Sequence, residues 1–348
     1  MLFRYPIAFA CATIETPAFS SVRLVRVCNS CLTYDYIVFI KYGDLIVEYY
    51  SLNRYLKDTF GQKVYKIALD GGFTCPNRDG RLGSRGCIFC SAGGSGDFAS
   101  DRSLSITDQI EQGKARLTRK FPDHGGNRYI AYFQAFTNTY APVERLRQLY
   151  EEAMNHPQVC ALSIATRPDC LPLEVLELLD ELNRIKPIWV ELGLQTIHPQ
   201  TAEYIRRGYP LTVYDRAVYE LKKRNIQVIV HVILGLPGET EEMMKETVRY
   251  VGESKADGIK LQLLHVLKGT DLAADFLAGK FQTLSMENYV RIVADCLMLL
   301  PPDMVIHRMT GDGDKKILLA PLWSGDKKRV IQALKEEIAG RVRNEYDL

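Results

Sequence analysis

The sequence has no uninterrupted apolar run of the roughly 18 residues that a membrane span requires. The short apolar stretches of its first fifty residues are broken by Arg4, Glu15, Arg23 and Arg26. It also lacks an excess of one charge: 44 basic against 42 acidic side chains leave a formal net charge of +2, so nucleic acid would have to meet a local patch rather than a global field. Low-complexity tracts are absent, and so is any repeat beyond an alternation of strand and helix patterns. A composition of 47% hydrophobic and 25% charged residues over 348 positions excludes disordered and fibrous classes and suffices for one α/β-barrel domain with appendages. The cysteines number nine, an odd count, and no stretch reads as a signal peptide with a small-residue cleavage site. The expectation is a cytoplasmic protein with no membrane partner.

From Tyr65 onward, short runs rich in β-branched and aromatic residues ("YKIALD", "YIAYFQAF", "CALSIAT", "PIWVELGLQT", "IQVIVHVILGLP", "GIKLQLLHVL") alternate with helical patterns such as "PVERLRQLYEEAMNH" and "LPLEVLELLDELNRI". Strand alternating with helix implies βαβ units and a parallel sheet, and six such strands fit a full or partial (β/α) barrel with its ligands at the C-terminal strand ends. After Pro301-Pro302 the pattern changes to one short strand, a Gly/Asp-rich loop and a terminal helix, so residues 302–348 read as a small C-terminal α/β extension of a barrel spanning 51–301. Residues 1–50 read as an appendage without an assigned role, or as a start codon placed too far upstream.

The stretch "CPNRDGRLGSRGCIFC", Cys75 to Cys90, places three cysteines in a polar loop just past the first barrel strand, spaced C-x11-C-x2-C. Three readings are open. An iron-sulfur cluster held by three thiolates would keep one iron free; zinc would need a distant fourth ligand, His124 being over thirty residues away; or the thiols are free. Cys28 and Cys31 form a second pair with no partner pair close by, and Cys160, Cys170 and Cys296 read as core.

Polar residues punctuate the other strands. Glu191 and Gln195 lie four apart and face one side, inward in a barrel. A buried carboxylate needs a partner, which for Glu191 is a cofactor group or Arg167. Lys260, Gln262 and Leu264 alternate along the sixth strand, with His265 on the other face unless a bulge intervenes, and His231 on the fifth strand has the same ambiguity. "GLPGET" lacks the Lys-Ser/Thr of a phosphate loop.

The three cysteines ending in C-x2-C, with Phe89 between the last two, resemble the radical S-adenosylmethionine (radical SAM) superfamily. The longer pattern "GGFTCPNRDGRLGSRGCIFCSAGGSGDF", with "FQAFTNTYAP", "ATRPDCLP", "VELGLQTIHPQTAEYIRRGY", "HVILGLPGET", "LLHVLKGTDLA" and "HRMTGDGDKKILLAPLW", more specifically resembles the YhcC/YtqA type, also called MnmL, a relative of the radical SAM core of the elongator catalytic subunit. The likeness runs from about Asn53 to Leu334. It implies a partial (β/α)6 TIM-like barrel in which Cys75, Cys87 and Cys90 hold a [4Fe-4S] cluster. The cluster reductively cleaves S-adenosylmethionine to a 5′-deoxyadenosyl radical. Phe89, Gln134, Arg167, Glu191, Gln195 and Gly235 are the implied cofactor contacts, Gln134-Ala135-Phe136 standing where the family has a Gly-Gly-Glu-like turn. Lys260, Gln262 and His265 fall on the catalytic, substrate side.

For substrate, the resemblance implies tRNA, with conversion of wobble 5-carboxymethylaminomethyluridine to 5-aminomethyluridine and an electron donor such as flavodoxin or ferredoxin. The chain lacks the acetyltransferase domain of the elongator subunit, which disfavours acetyl transfer. Arg206-Arg207, Lys222-Lys223-Arg224, Lys315-Lys316, Lys327-Lys328-Arg329 and Trp323 are candidate RNA contacts. The alternatives are a radical SAM enzyme acting on a small molecule or peptide, and a zinc-binding protein without enzymatic activity.

Overall fold

The apolar runs of this chain are too continuous for a sheet with a wet face, and the computed structural model covers them with helices. It describes residues 13–16, 19–29, 32–39, 49–94, 99–120, 127–311 and 313–346. Cys31 and His124 lie outside the described residues. Seven strands form one wholly parallel sheet: β1 (Val64–Leu69), β2 (Arg128–Phe133), β3 (Val159–Thr166), β4 (Ile188–Gln195), β5 (Gln227–Leu234), β6 (Gly258–Leu263) and β7 (Val305–Arg308), ordered β7-β6-β5-β4-β3-β2-β1. With β7 and β1 left as edges, this is an open, partial (β/α) barrel of the expected class. The seventh strand comes from the segment read as the C-terminal extension. At four residues it is too short to announce its period, yet Val305 and Ile306 lie in register with Gly258 and Ile259.

The chain forms two compact units, Tyr49–Leu334 and Met1–Glu48 with Lys335–Leu348. In the second, Thr13–Thr16, Phe19–Asn29 and Leu32–Phe39 pair as an antiparallel sheet.

Period-2 alternation sorts each barrel strand into two columns. One column, including Ile67, Leu69, Ala131, Phe133, Leu162, Ile164, Val190, Leu192, Val230, Val232 and Leu261, meets the helices in the main core. The other faces the barrel interior and changes character along the strands. At the N-terminal end Val64, Ile130, Ala161, Trp189 and Ile229 form a separate apolar plug with Leu56. Leu56 belongs to α1 (Leu52–Phe60), which starts where the Ser51 side chain accepts from Arg54 N and ends at Gly61 in the left-handed conformation. The helix is tied to the plug by Tyr55, whose ring meets Trp189 edge-on at 5.7 Å and whose hydroxyl donates to Gln227 Oε1 at 3.0 Å. The narrow end is thereby sealed, and whatever the barrel binds must enter from the C-terminal ends of the strands.

Trp189 is the largest fully buried side chain of the described chain, at 1% exposure. Trp189→Ala is expected to cost about 3–5 kcal/mol, the range for emptying a large aromatic site, read as a lower urea midpoint with unchanged slope.

Candidate active site

The loop leaving β1 carries Cys75, Cys87 and Cys90, all partly exposed and none disulfide-bonded. Backbone turns shape it: Cys75 O accepts from Arg78 N at 2.8 Å, and Cys87 O from Cys90 N at 3.0 Å. Two side chains brace it from within. Asn77 Nδ2 donates to Cys87 Sγ at 3.4 Å and to Arg206 O at 2.7 Å. Arg78 Nη2 donates to Cys90 O at 3.1 Å and Ser91 O at 2.5 Å, with its guanidinium 5.5 Å from the Phe136 ring centroid. Gly86, at φ +75°, is required beside it, since a Cβ there would lie 3.0 Å from Arg78 Nε.

Burial pushes the Cys87 thiol up to about 11; Cys90 and Cys75 push in the same direction, while Arg167 and the Asn77 amide oppose them. Cys75 and Cys90 therefore each lie within electrostatic reach of Cys87. Among the described residues, however, no three His, Cys, Asp or Glu side chains gather closely enough to hold a single metal ion. Three thiols on one braced loop supply the donor set of a cluster that keeps one iron open.

Across the mouth, β4 ends at Gln195, a non-glycine residue in the left-handed region at φ +69°. Its amide oxygen is buried with no hydrogen-bond partner among the described residues. The strained backbone is clasped by the "RRGY" turn that follows α2 (Pro199–Tyr204): Tyr209 donates its hydroxyl to Gly193 O, and Arg207 Nη1 donates to Leu194 O at 3.4 Å and Thr196 O at 2.5 Å. An orphaned acceptor held in place by strain at the rim fits a bound group that brings a donor, as the amino and hydroxyl groups of S-adenosylmethionine would. Arg167, at the end of β3, makes two hydrogen bonds to Asp169, at 2.9 and 2.8 Å, and lies 5.2 Å from the Tyr209 ring centroid. It does not pair with Glu191.

Glu191 lies deeper, fully buried, with both oxygens engaged. Lys66 Nζ and Ser163 Oγ each donate to Oε1 at 2.6 Å. Lys260 Nζ donates to Oε2, and His231 Nε2 lies 2.7 Å from that same oxygen. Lys260 also donates to the Tyr132 hydroxyl at 3.2 Å. Burial works to raise the Glu191 pKa, but Lys260 and Lys66 outweigh it and hold this carboxyl well below the usual range. Burial lowers Lys260 to about 7 against the pull of Glu191, and pushes His231 down to about 4.

The remaining assigned residues are distributed around this axis. Gln262 shares the inward column with Lys260, one pleat nearer the mouth, and Gln134 follows β2, its N–H donating to Leu69 O at 3.4 Å. Phe89 packs, partly buried, in the cluster containing Ile233, Leu236 and Leu264. Gly235, at φ +89°, makes the turn after β5, with its N–H directed at Met244 Sδ, 3.1 Å away. His265 sits beneath the "GDGD" loop, where a Cβ on Gly311 or Gly313 would approach its ring to 2.5 or 2.7 Å.

Four of the five side chains in two of the basic clusters are engaged within the fold, while Lys223 is exposed. Arg207 is buried, Arg206 pairs with Asp271, Lys222 with Asp257 and Arg224 with Glu220. Trp323 is likewise committed, donating from its indole nitrogen to Leu284 O at 3.0 Å with its ring against Tyr289. Lys315, Lys316, Lys327, Lys328 and Arg329 are exposed. The sequence reading assigned no role to Asn77, Arg78, Lys66, Ser163, Tyr132 or Tyr209. Of these only Lys66 carried a local signal, a lysine in the middle of the apolar "YKIALD".

Arg78→Ala is expected to leave the thermal midpoint within a few degrees but to lower the iron retained after anaerobic reconstitution by more than half, because the backbone that carries the third thiol, Cys90, loses its brace. A pH dependence also follows. The native His231 stays neutral down to about 4 whereas an unfolded histidine protonates near 6.5, so the unfolded chain takes up the extra proton and stability falls as pH drops through that window. Protonation of Glu191 adds to the loss below 4.5. Urea midpoints of the cluster-free protein between pH 6.5 and 4 are expected to fall more steeply than those of His231→Gln, by on the order of 2 kcal/mol over the window.

Known proteins carry the same pattern. Residues 79–251 match the family model described as the radical SAM superfamily, and residues 256–339 the radical SAM C-terminal domain. The chain is 47% identical over 300 residues to the protein YtqA of Bacillus subtilis, covering 86% of this chain and 92% of that one. It is 39% identical over 265 residues to YhcC of Escherichia coli K12, covering 76% and 84%. A shorter stretch of 169 residues is 30% identical to a tRNA uridine(34) acetyltransferase of Methanocaldococcus jannaschii, covering 47% of this chain and 30% of the relative. Among solved structures, the archaeal Elp3 of Methanocaldococcus infernus superposes with a TM-score of 0.60 at 18% identity over 79% of this chain and 63% of that one, a likeness of fold. No helix among the described residues is long and apolar enough to cross a membrane. With a braced three-cysteine loop at the mouth of a parallel half-barrel, and with relatives this close over most of its length, the chain belongs to the radical SAM superfamily, whose members use a [4Fe-4S] cluster and S-adenosylmethionine.

Proposed function

We propose that this radical SAM enzyme acts on tRNA, converting 5-carboxymethylaminomethyluridine at the wobble position to 5-aminomethyluridine. The C–N bond to the carboxymethyl group would break with water adding the oxygen, and the two-carbon acid would leave as glyoxylate. The electrons and hydrogen given up would be taken by cleavage of S-adenosylmethionine to methionine and 5′-deoxyadenosine. Cys75, Cys87 and Cys90 would hold the cluster, which when bound supplies the electron that cleaves S-adenosylmethionine and so gives access to unactivated C–H bonds. Phe89, Gln134, Arg167, Gln195 and Gly235 would line the S-adenosylmethionine around the rim. Glu191, whose oxygens are taken by four side chains, would serve from below by holding Lys66, Lys260 and His231 in place, and Lys260, Gln262 and His265 would meet the substrate. The apolar plug at the narrow end would keep water from the lumen behind it.

The observation that carries the tRNA reading is the 30% identical stretch shared with a tRNA uridine(34) acetyltransferase. The exposed cations Lys315, Lys316, Lys327, Lys328 and Arg329 support it, since five basic side chains in two short segments can neutralise phosphates on an otherwise balanced chain. A small electron carrier such as flavodoxin or ferredoxin would complete the system, in the cytoplasm where tRNA is found.

The test is anaerobic reconstitution followed by incubation with S-adenosylmethionine, a reductant and tRNA. Expected are absorption near roughly 400 nm, 5′-deoxyadenosine formation that depends on each of the three cysteines, and loss of the acidic wobble nucleoside with gain of the aminomethyl form. Replacing the five exposed cations by Gln is expected to weaken tRNA binding and flatten its salt dependence. If 5′-deoxyadenosine forms but no tRNA nucleoside changes, the substrate is instead a small molecule or peptide.

A further inference from the structure

On β1, β3 and β4 the inward column narrows in side-chain size midway up the barrel, while β5 and β6 carry Ile233 and Gln262 at the same step. Ala68, Ala165 and Gly193 stand one pleat above Lys66, Ser163 and Glu191. Lys66, Ala68, Gly193, His231 and Gln262 all retain some exposure, although their helix-facing neighbours Ile67, Leu192, Leu194, Val230, Val232 and Leu261 are buried. Ala68 and Gly193 therefore border open space, closed below by the plug around Trp189, while Ala165 is buried.

The lower boundary of that space is unbalanced in charge. Two ammonium groups, of Lys66 and Lys260, converge on one carboxylate. Arg308 is in register with Lys260 across β6 and β7, and its positive field reaches both lysines and His231. Ser163 and Tyr132 are neutral, and the plug beneath is apolar. Burial penalises two ammonium groups set against one carboxylate, and a second anion arriving from the mouth would relieve the penalty. Glu191 already shows what suits the site, a planar pair of oxygens divided between two ammonium donors.

We propose that Lys66 and Lys260, seated on Glu191, form the receptacle for a carboxylate on the substrate, with the carbon chain that bears it lying beside Ala68, Ala165 and Gly193 beneath the cysteine loop. The inference rests on the tRNA reading for the molecule that carries the acid, which would be the terminal carboxylate of the wobble-uridine side chain. The lumen thus recognises the group to be removed and offers no such anchor to the product, whose primary amine is cationic and carries no carboxylate.

The test uses the reconstituted protein with S-adenosylmethionine and no reductant, so that binding is measured without turnover. Two preparations of one tRNA are compared by filter binding at fixed salt, one bearing 5-carboxymethylaminomethyluridine and one 5-aminomethyluridine. The wild type is expected to prefer the acidic form by about tenfold, the scale of one charge-assisted hydrogen-bonded pair. Lys66→Gln and Lys260→Gln should each bring the ratio close to one, and Lys260→Arg should keep part of it; iron content and thermal midpoint identify any variant that has failed to fold, and the wild-type ratio stands without them. Equal binding of the two tRNAs overturns the inference while the tRNA reading survives. If neither tRNA binds, the tRNA reading fails, and the carboxymethylaminomethyl nucleoside against its methyl ester decides the matter: retention of the acid alone supports the receptacle, and equal or no retention overturns it.

Discussion

Glu191 is the group around which the barrel interior is organised. A carboxylate this deeply buried stays ionised only if donors replace the water it has lost, and four strands supply them: Lys66 from β1, Ser163 from β3, His231 from β5 and Lys260 from β6. The network also fixes strand register, since a slip of one residue would turn its donor into the helix-facing core. Above this layer Ala68, Ala165 and Gly193 replace larger side chains on three strands; below it, Trp189 and Tyr55 close the barrel. The polarity of the interior, charged at the base and strained at the rim, follows from that arrangement.

The rim depends on a second constraint, the turn from Ile205 to Tyr209, which reaches in two directions. Toward the cysteines, Ile205 O accepts from Ile88 N at 3.3 Å, and Arg206 O accepts from the same Asn77 amide that supports Cys87. Toward β4, Arg207 and Tyr209 hold the carbonyls on either side of Gln195. One five-residue turn thus couples the thiol loop to the strained strand end, and a shift in either would be felt by the other.

Much of this was legible in the sequence because the signals are local. Period-2 runs bounded by turn residues gave six strands and their direction, and the spacing of Cys75, Cys87 and Cys90 marked the mouth. What was not legible depends on partners far apart in the chain. β7 is four residues long and gains its identity only by pairing with β6. Arg167, at the end of the neighbouring strand, was a reasonable partner for Glu191, but register sets Glu191 beside Lys66 and Lys260, and Arg167 turns to Asp169 two residues away. Arg206-Arg207 and Trp323 look like an RNA-facing surface in one dimension, yet their acceptors, Asp271, the backbone near Gln195 and Leu284 O, are all supplied by the fold. Lys66 shows the converse, a charge in an apolar strand whose purpose emerges only when six strands are brought round one axis.

The claim on which everything else rests is that the three thiols hold a cluster with one iron open to S-adenosylmethionine. The most direct measurement is electron paramagnetic resonance of the anaerobically reconstituted, reduced protein with and without S-adenosylmethionine. The account predicts a reduced [4Fe-4S] signal that changes shape when S-adenosylmethionine is added and that is absent from Cys87→Ala. A colourless protein containing zinc, or a cluster signal indifferent to S-adenosylmethionine, would contradict it.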